Sequence, residues 1–425
     1  MGSPVGPPIT TLASGVRVVT ETMTSVRSVT LGLWLDVGSR DETAAQAGCS
    51  HFLEHTLFKG TSRRTARDIA ESLDAVGGEL NAFTSKELTC VHARVLDADL
   101  PLAFEVLADL VVDARNDPAD IEAERQVVRS ELDALNDAPD ELVHTEFCRT
   151  VLGTHPLAAE TLGSEDSIRG LERDTIHRYY LDRYRPEDLV VAVAGNVSHD
   201  RVVALAEDLL GDLGRPGGHR GQRAPVTGYH HGEVRVRHRP SEQAHLVLGA
   251  GGLDQHDQDR YALKVLDVLL GGGMSSRLFQ GIREERGLAY STYSYAPTYS
   301  DAGLVGAYVG TAPELVDEVL GVLVGELDRV VDDVTAAEVE RAKGALTGGT
   351  VLGLEDTGSR MSRIGRQLVT GAPLVGVEEA LVRIAAVDLD DVRAVARRVL
   401  TTPRNLAVVG PFDPADTDRF RAAVA

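Results

Sequence analysis

The stretch Gly48-Cys-Ser-His-Phe-Leu-Glu-His-Thr-Leu-Phe-Lys-Gly60 decides how the rest of the chain is read. His51 and His55 stand four apart with Glu54 between them, the spacing H-x-x-E-H, and these polar groups converge only if the segment is helical. On a helix, residues four apart lie one turn above each other, so both imidazoles can reach one metal ion. Glu54, three residues after His51, falls on the same side and can contact a water rather than the ion, which leaves it free as a general base. Thr43-x-x-Gln46 reads as a capping box that opens this helix and Gly60 as its stop, with Gly48 the one helix breaker between them. The plainer alternative is a pair of helix histidines beside a surface glutamate. A third ligand elsewhere in the chain separates the two readings.

Asp117-Pro118 offers an N-cap followed by proline at the first helical position. The helix that follows has a seam at Ile121, Glu124, Val128, Glu131 and Leu135, one face at alternating steps of three and four. Two glutamates thus stand where an inward face carries aliphatic residues, and a buried carboxylate without a partner costs several kcal/mol. Glu131 can complete a His2Glu set with His51 and His55, and three protein ligands plus water describe a catalytic zinc, whereas structural zinc is closed by four. Glu124, one heptad earlier, is better placed to orient a ligand. The alternative is a solvated seam whose glutamates pair with Arg125 or Arg129, although those arginines fall on other faces of the helix.

With 425 residues, 43% hydrophobic and 25% charged, the composition is that of an ordinary globular protein of two or three domains. The net charge of -22 argues against nucleic acid or an anionic membrane as partner and favours cationic peptide segments. The N-terminus has no basic region before an apolar run, and no stretch is long and apolar enough for a membrane span. Three cysteines, Cys49, Cys90 and Cys148, without C-x-x-C spacing argue against a disulfide framework, and a cytoplasmic location is the expectation.

Apolar or alternating runs at Gly15–Thr20, Val29–Leu35, Glu79–Phe83, Leu88–Leu96 and Leu189–Ala194 read as strands, with helices at Ala66–Val76, Asp99–Ala114 and Asp200–Leu210. The Gly/Pro-rich segment 213–228 is the best linker, giving a metal-bearing domain over 1–212 and a metal-free one over 229–425. After the linker the order of elements repeats. Pro118-Ala-Asp-Ile-Glu-Ala-Glu-Arg echoes in Thr335-Ala-Ala-Glu-Val-Glu-Arg-Ala; aligning Ile121 with Val339 places Gly349 opposite Glu131, and the second half has no H-x-x-E-H. The Gly-rich run Gly271-Gly-Gly-Met-Ser-Ser lacks a phosphate-binding pattern. By composition alone Arg283 and Tyr290 are a surface arginine and a strand tyrosine.

Taken together, His51-x-x-Glu54-His55, Gly77-Gly-Glu-Leu-Asn81-Ala82-Phe-Thr84, Glu124-Arg-Gln-Val-Val-Arg-Ser-Glu131 and Gly271 through Tyr290 resemble the inverted-motif zinc peptidases of the pitrilysin, insulinase and mitochondrial processing peptidase type. The likeness covers nearly the whole chain and is greatest to the β, catalytic subunit of the processing-peptidase branch and its bacterial homologues. It implies one Zn2+ per chain on His51, His55 and Glu131, Glu54 as general base and Glu124 as a supporting acid. It implies substrate binding by strand addition at Asn81 and Ala82, with Arg283 and Tyr290 holding the substrate and the tetrahedral intermediate. The implied fold is α+β, two homologous domains that are each a mostly antiparallel sheet with helices packed on it. The implied assembly is two chains, a homodimer or a heterodimer with a related metal-free subunit, closed into a chamber around an extended peptide. Some relatives of this type are non-catalytic peptide-binding or scaffold subunits, with broken zinc motifs where this one is intact. Departures from the pattern are Val91-His92, Cys49 and Thr56.

Overall fold

The computed structural model describes residues 6–213 and 223–424, so 214–222 of the expected linker lie outside the described residues. The first half runs β1 (Ile9–Thr11), β2 (Arg17–Thr22), β3 (Ser28–Leu35), α1 (Cys49–Leu57), α2 (Ala66–Asp74), β4 (Glu79–Thr84), β5 (Thr89–Leu96), α3 (Leu100–Val112), α4 (Pro118–Asn136), α5 (Pro139–Leu152), α6 (Glu165–Gly170), α7 (Arg173–Arg183), β6 (Leu189–Gly195) and α8 (His199–Leu210). The second half runs β7 (Val234–His238), β8 (Ala244–Gly251), α9 (Arg260–Gly271), a π-helical turn at Phe279–Glu284, β9 (Ala289–Tyr295), β10 (Leu304–Thr311), α10 (Val316–Asp333), α11 (Ala336–Gly353), α12 (Thr357–Val369), α13 (Val377–Ala386), α14 (Leu389–Leu400), β11 (Asn405–Gly410) and α15 (Thr417–Phe420).

Two sheets result, and the architecture is α+β. The first has the order β1-β2-β6-β3-β5-β4 and the second β7-β11-β8-β10-β9. In each, one pair is parallel, β2 with β6 and β7 with β11, and the remaining pairs are antiparallel. Strand for strand, β2-β6-β3-β5-β4 and β7-β11-β8-β10-β9 have the same order and directions, so the halves are a duplication and β1 is an addition to the first. The central strands β3 and β6 are buried along nearly their whole length, which explains why they read as continuous apolar runs rather than alternating ones.

Each sheet is covered on both faces. Helices α1, α3 and α8 join the large core on one face of the first sheet, while α12 lies on the other, where Trp34 is fully buried beside Met361 and Ile364. In the second sheet, α9, α10 and α14 take one face and α5 the other, with Val143 and Phe147 of α5 packed near Val247 and Tyr308. The compact units are therefore not contiguous in sequence. One comprises 1–132, 160–223 and 352–376, and the other 133–159, 224–351 and 377–425. The helix that follows α4 covers the second sheet, and its counterpart after α11 covers the first.

The start of the motif helix differs from the sequence expectation. The Thr43–Gln46 box closes a separate 3-10 turn over Ala44–Gln46. Gly48 then turns the backbone at φ 86, in the left-handed region, and a Cβ there would meet the Ile168 side chain and the Leu162 carbonyl. Helix α1 begins only at Cys49 and ends at Leu57, short of Gly60, which bridges to Thr65. Among the described residues no helix is long and apolar enough to cross a membrane.

Candidate metal centre

Helix α1 is held by its buried face, Phe52, Leu53 and Leu57, and by a carboxylate at its start. Gly48 has no side chain with which to cap the helix, and Glu42 does so from the preceding segment, accepting from the N–H groups of Gly48 at 2.7 Å and Ser50 at 2.6 Å. The opposite face carries His51, Glu54 and His55. At the far end the Thr56 hydroxyl meets the Asn116 side chain at 2.8 Å. Asn116 itself is buried at φ 51, a left-handed backbone that asparagine tolerates, just before α4. The Thr56 contact thus ties the end of α1 to the start of α4.

On α4, Glu124 and Glu131 lie two turns apart and both face α1. Glu131 Oε2 stands 3.7 Å from His51 Nε2 and 3.5 Å from His55 Nε2, while the two rings meet edge-on with centroids 4.7 Å apart. Those separations are long for hydrogen bonds. They suit the edges of a coordination tetrahedron: donors about 2.0–2.1 Å from one zinc ion lie roughly 3.3–3.4 Å apart. Glu131 Oε2 and His51 Nδ1 are among the buried side-chain atoms that have no hydrogen-bond partner among the described residues. Among the described residues these three side chains are the one group of metal-ligating type close enough to share an ion. Two imidazoles and one carboxylate match the donor set of catalytic rather than structural zinc.

Glu124, 5% exposed, takes His55 Nδ1 at 3.0 Å on one oxygen and Lys59 Nζ at 2.5 Å on the other. With a carboxylate on Nδ1, that nitrogen carries the proton, which leaves the Nε2 lone pair directed at the space shared with Glu131. Arg125 and Arg129, the alternative partners for the seam, bond elsewhere: Arg125 to Glu122 and the carbonyls of Ile168 and Leu171, and Arg129 to Glu165. Burial, reinforced by the neighbouring His55, pushes the His51 imidazole down to about 4, so it is neutral and able to ligate at ordinary pH. Burial raises Glu54 above the usual carboxylate range, and a hydrogen bond from the Thr84 hydroxyl to Glu54 Oε2, 2.6 Å, partly opposes the rise.

Thr84 ends β4, the outermost strand on that side of its sheet. Asn81 and Ala82 lie on this strand opposite His92 and Val91 of β5, and the Asn81 side-chain oxygen accepts from the Ala82 N–H at 2.8 Å. Arg283 and Tyr290 belong to the second unit. The guanidinium lies between two rings, 4.7 Å from Phe279 and 4.4 Å from Tyr290, and donates to the Tyr290 carbonyl at 3.1 Å. Tyr290 is 78% exposed. Two residues at the site have no role in the sequence reading although both lie inside quoted segments: Lys59, which contacts Glu124, and Thr84, which contacts Glu54. Thr84 arrives on a strand, so helical spacing does not relate it to the histidines, whereas Lys59 stands one helical step of four after His55, just past the end of α1.

Comparison with known proteins identifies the family. The family model described as insulinase, peptidase family M16, matches residues 17–165, and the peptidase M16 inactive domain matches 170–346. An uncharacterized zinc protease of Streptomyces coelicolor is 47% identical over 98% of this chain and 92% of its own length. The chain belongs to peptidase family M16. Other relatives of this M16 chain are uncharacterized zinc proteases of Mycobacterium tuberculosis, 44% identical over 96% of the chain and 94% of the relative, and of Bacillus subtilis, 40% over 94% and 97%. Among solved structures, a protease from Helicobacter pylori superposes with TM-score 0.88 at 22% identity, covering 95% of this chain and 99% of that one. A peptidase M16 inactive domain structure from Pseudomonas fluorescens gives 0.88 at 20%, covering 96% and 98%. At those identities the likeness is one of fold.

Proposed function

We propose that this chain is a zinc-dependent endopeptidase acting on extended peptides or unfolded polypeptide segments, with one zinc ion per chain on His51, His55 and Glu131. The observation that carries the reading is the convergence of two Nε2 atoms on one unpartnered carboxylate oxygen of Glu131. When bound there, zinc supplies a Lewis acid that polarises a peptide carbonyl and acidifies a water. Glu54 accepts the proton from that water and returns it to the leaving amine; its raised pKa brings it closer to neutrality, where a general base works best. The Thr84 hydroxyl fixes the direction of the Glu54 carboxylate, and Glu124 fixes the tautomer of His55. Asn81 and Ala82, on an outermost strand, take the substrate backbone as an added strand, a mode that makes few demands on sequence. Arg283 and Tyr290 hold the substrate and the developing oxyanion, and two chains close the chamber, as a homodimer or with a related metal-free subunit.

The test is metal analysis coupled to cleavage of a quenched, unstructured peptide. Glu54→Gln should retain zinc and lose at least about 10²-fold in turnover, while His51→Ala and Glu131→Ala should lose zinc as well. Full turnover in Glu54→Gln would end the assignment. A wild-type chain that holds zinc yet cleaves nothing, alone or with a partner, would make it a peptide-binding subunit.

A further inference from the structure

The duplication leaves one strand of the second sheet uncovered. In the first sheet β1 pairs with the first three residues of β2, Ile9 opposite Val19 through Thr11 opposite Arg17. The counterpart of β2 is β7, parallel to β11 as β2 is to β6, and β7 is the outermost strand of its sheet. Beside the start of β7 lies a groove of about 490 Å³, lined by Val234, Arg235 and Val236 of the strand, Arg149 at the end of α5, His230 and Thr417. This is the place in the second unit that β1 fills in the first.

On its outer side β7 has no strand partner among the described residues. Leu406 N–H donates to the Glu233 carbonyl at 2.9 Å and Arg239 N–H to the Gly410 carbonyl at 2.7 Å, so Glu233 and Arg239 turn toward β11. A parallel ladder uses every second residue, so Arg235 and Arg237 do the same, and Val234, Val236 and His238 point their N–H and C=O groups outward. Among the described residues no strand covers this edge.

The walls are charged unequally. On the α5 side three guanidiniums, Arg149, Arg235 and Arg237, share the one buried carboxylate of Glu146, with separations of 3.1, 3.7 and 2.8 Å. Even with Glu233 counted, this wall is cationic in a chain of net charge -22. The other wall, at Pro414 and Thr417, stands next to Asp413 and Asp416 in sequence.

We propose that the β7 edge is a second strand-addition site, separate from β4, and that it takes an extended segment of another polypeptide with acidic side chains at alternate positions. Side chains of an added strand alternate between the two walls. The acidic set meets Arg149, Arg235 and Arg237, and the intervening uncharged set faces the Pro414 wall. Backbone groups at Val234 and Val236 supply the pairing, and the arginines set the preference.

The test uses fluorescein-labelled Val-Glu-Val-Glu-Val-Glu-Val, with a lysine-for-glutamate version as control, in anisotropy titrations of the full chain in a Glu54→Gln background that leaves the probe intact. The acidic peptide should saturate and weaken as salt is raised. Val234→Pro removes one outward N–H at the first residue of an edge strand, where proline is tolerated, and should weaken binding about tenfold or more. Arg235→Gln should weaken it about two- to fivefold. Circular dichroism and, without the Glu54 change, unaltered peptidase turnover in Val234→Pro keep folding and the β4 cleft out of the comparison. Equal binding of the lysine peptide, acidic-peptide binding indifferent to Val234→Pro, or a self-association that Val234→Pro abolishes while no peptide binds, would each overturn the proposal.

Discussion

Replacement of Glu124 by glutamine tests how the site holds a metal without touching a metal ligand. The buried carboxylate makes two contacts, His55 Nδ1 at 3.0 Å and Lys59 Nζ at 2.5 Å. Glutamine keeps an oxygen that can accept from His55, but the bond loses its charge assistance. Hydrogen bonds to charged groups contribute about 1.5–3 kcal/mol and neutral ones about 0.5–1.5, so the difference is roughly 1–1.5 kcal/mol, or about tenfold in affinity. The Lys59 ammonium, now facing a neutral amide, adds an uncompensated positive charge beside a site for a dication. The expected result is 10–100-fold weaker zinc binding, the range for groups that orient metal ligands. The assay is a competition titration of metal-stripped protein against a chromophoric chelator, with the thermal midpoint of the metal-free form as a control for folding. Lys59→Met removes the outer charge alone. The pair is 36% exposed on the lysine side, so Lys59→Met should change binding in either direction by no more than about fivefold. If Glu124→Gln binds zinc within twofold of wild type while folded, the argument that Glu124 sets the His55 tautomer and basicity is refuted.

Thr84→Val removes the hydrogen bond that partly opposes the rise of the Glu54 pKa, so the acidic limb of kcat/KM should move to higher pH; an unmoved limb would separate Thr84 from the base. Glu338 caps α11 through Thr335 and grips Arg277; despite the opposing cost of burial, the Arg277 hydrogen bonds hold its carboxyl at about 2 instead of 4.5. A depressed carboxylate stabilises the fold above its unfolded pKa and loses that contribution as pH falls through the folded one. Glu338→Gln should therefore cost up to about 3 kcal/mol near pH 7, with the difference from wild type closing between about pH 4.5 and 2 in urea titrations. Gly365→Ala on α12 would drive a methyl group into the indole of Trp34 and should destabilise by about 1–3 kcal/mol in the same assay.

The sequence exposes those features that a local period determines. Steps of three and four put Glu124 and Glu131 on one face of α4, as they put His51 and His55 on one face of α1, and the structure faces the two helices toward each other. Apolar runs marked the central strands because β3 and β6 are buried on both sides. Longer-range choices leave no such mark. The pattern of α5 identifies an apolar stripe, with Val143 and Phe147 on it, yet nothing local states that the stripe covers the second sheet rather than the first. The same holds for α12 against Trp34. The cap on α1 escapes the sequence pattern for a related reason: Thr43 and Gln46 satisfy the capping pattern, but the carboxylate that reaches the N–H groups of Gly48 and Ser50 is Glu42, six and eight residues away and outside any helical register.

Why only one half of a duplication carries the proposed ligands is a matter of packing as well as of residue identity. In the first unit the space between α1 and the edge strand β4 is wide enough for the Glu54 side chain and the Thr84 hydroxyl to meet across it. In the second unit the equivalent helix, α9, lies directly on the edge strand β9. Ser294 of β9 donates to the Asp267 side chain at 2.6 Å and its carbonyl at 2.8 Å, and a Cβ at Gly271 would strike the Ser294 backbone nitrogen. An imidazole has no room in that gap. In the aligned repeats, α11 presents Gly349 where α4 presents Glu131, so the third donor is missing too. Writing H-x-x-E-H into α9 would therefore not create a second site. β9 would first have to move away from α9, and the hydrogen bonds of Ser294 to Asp267 oppose that movement.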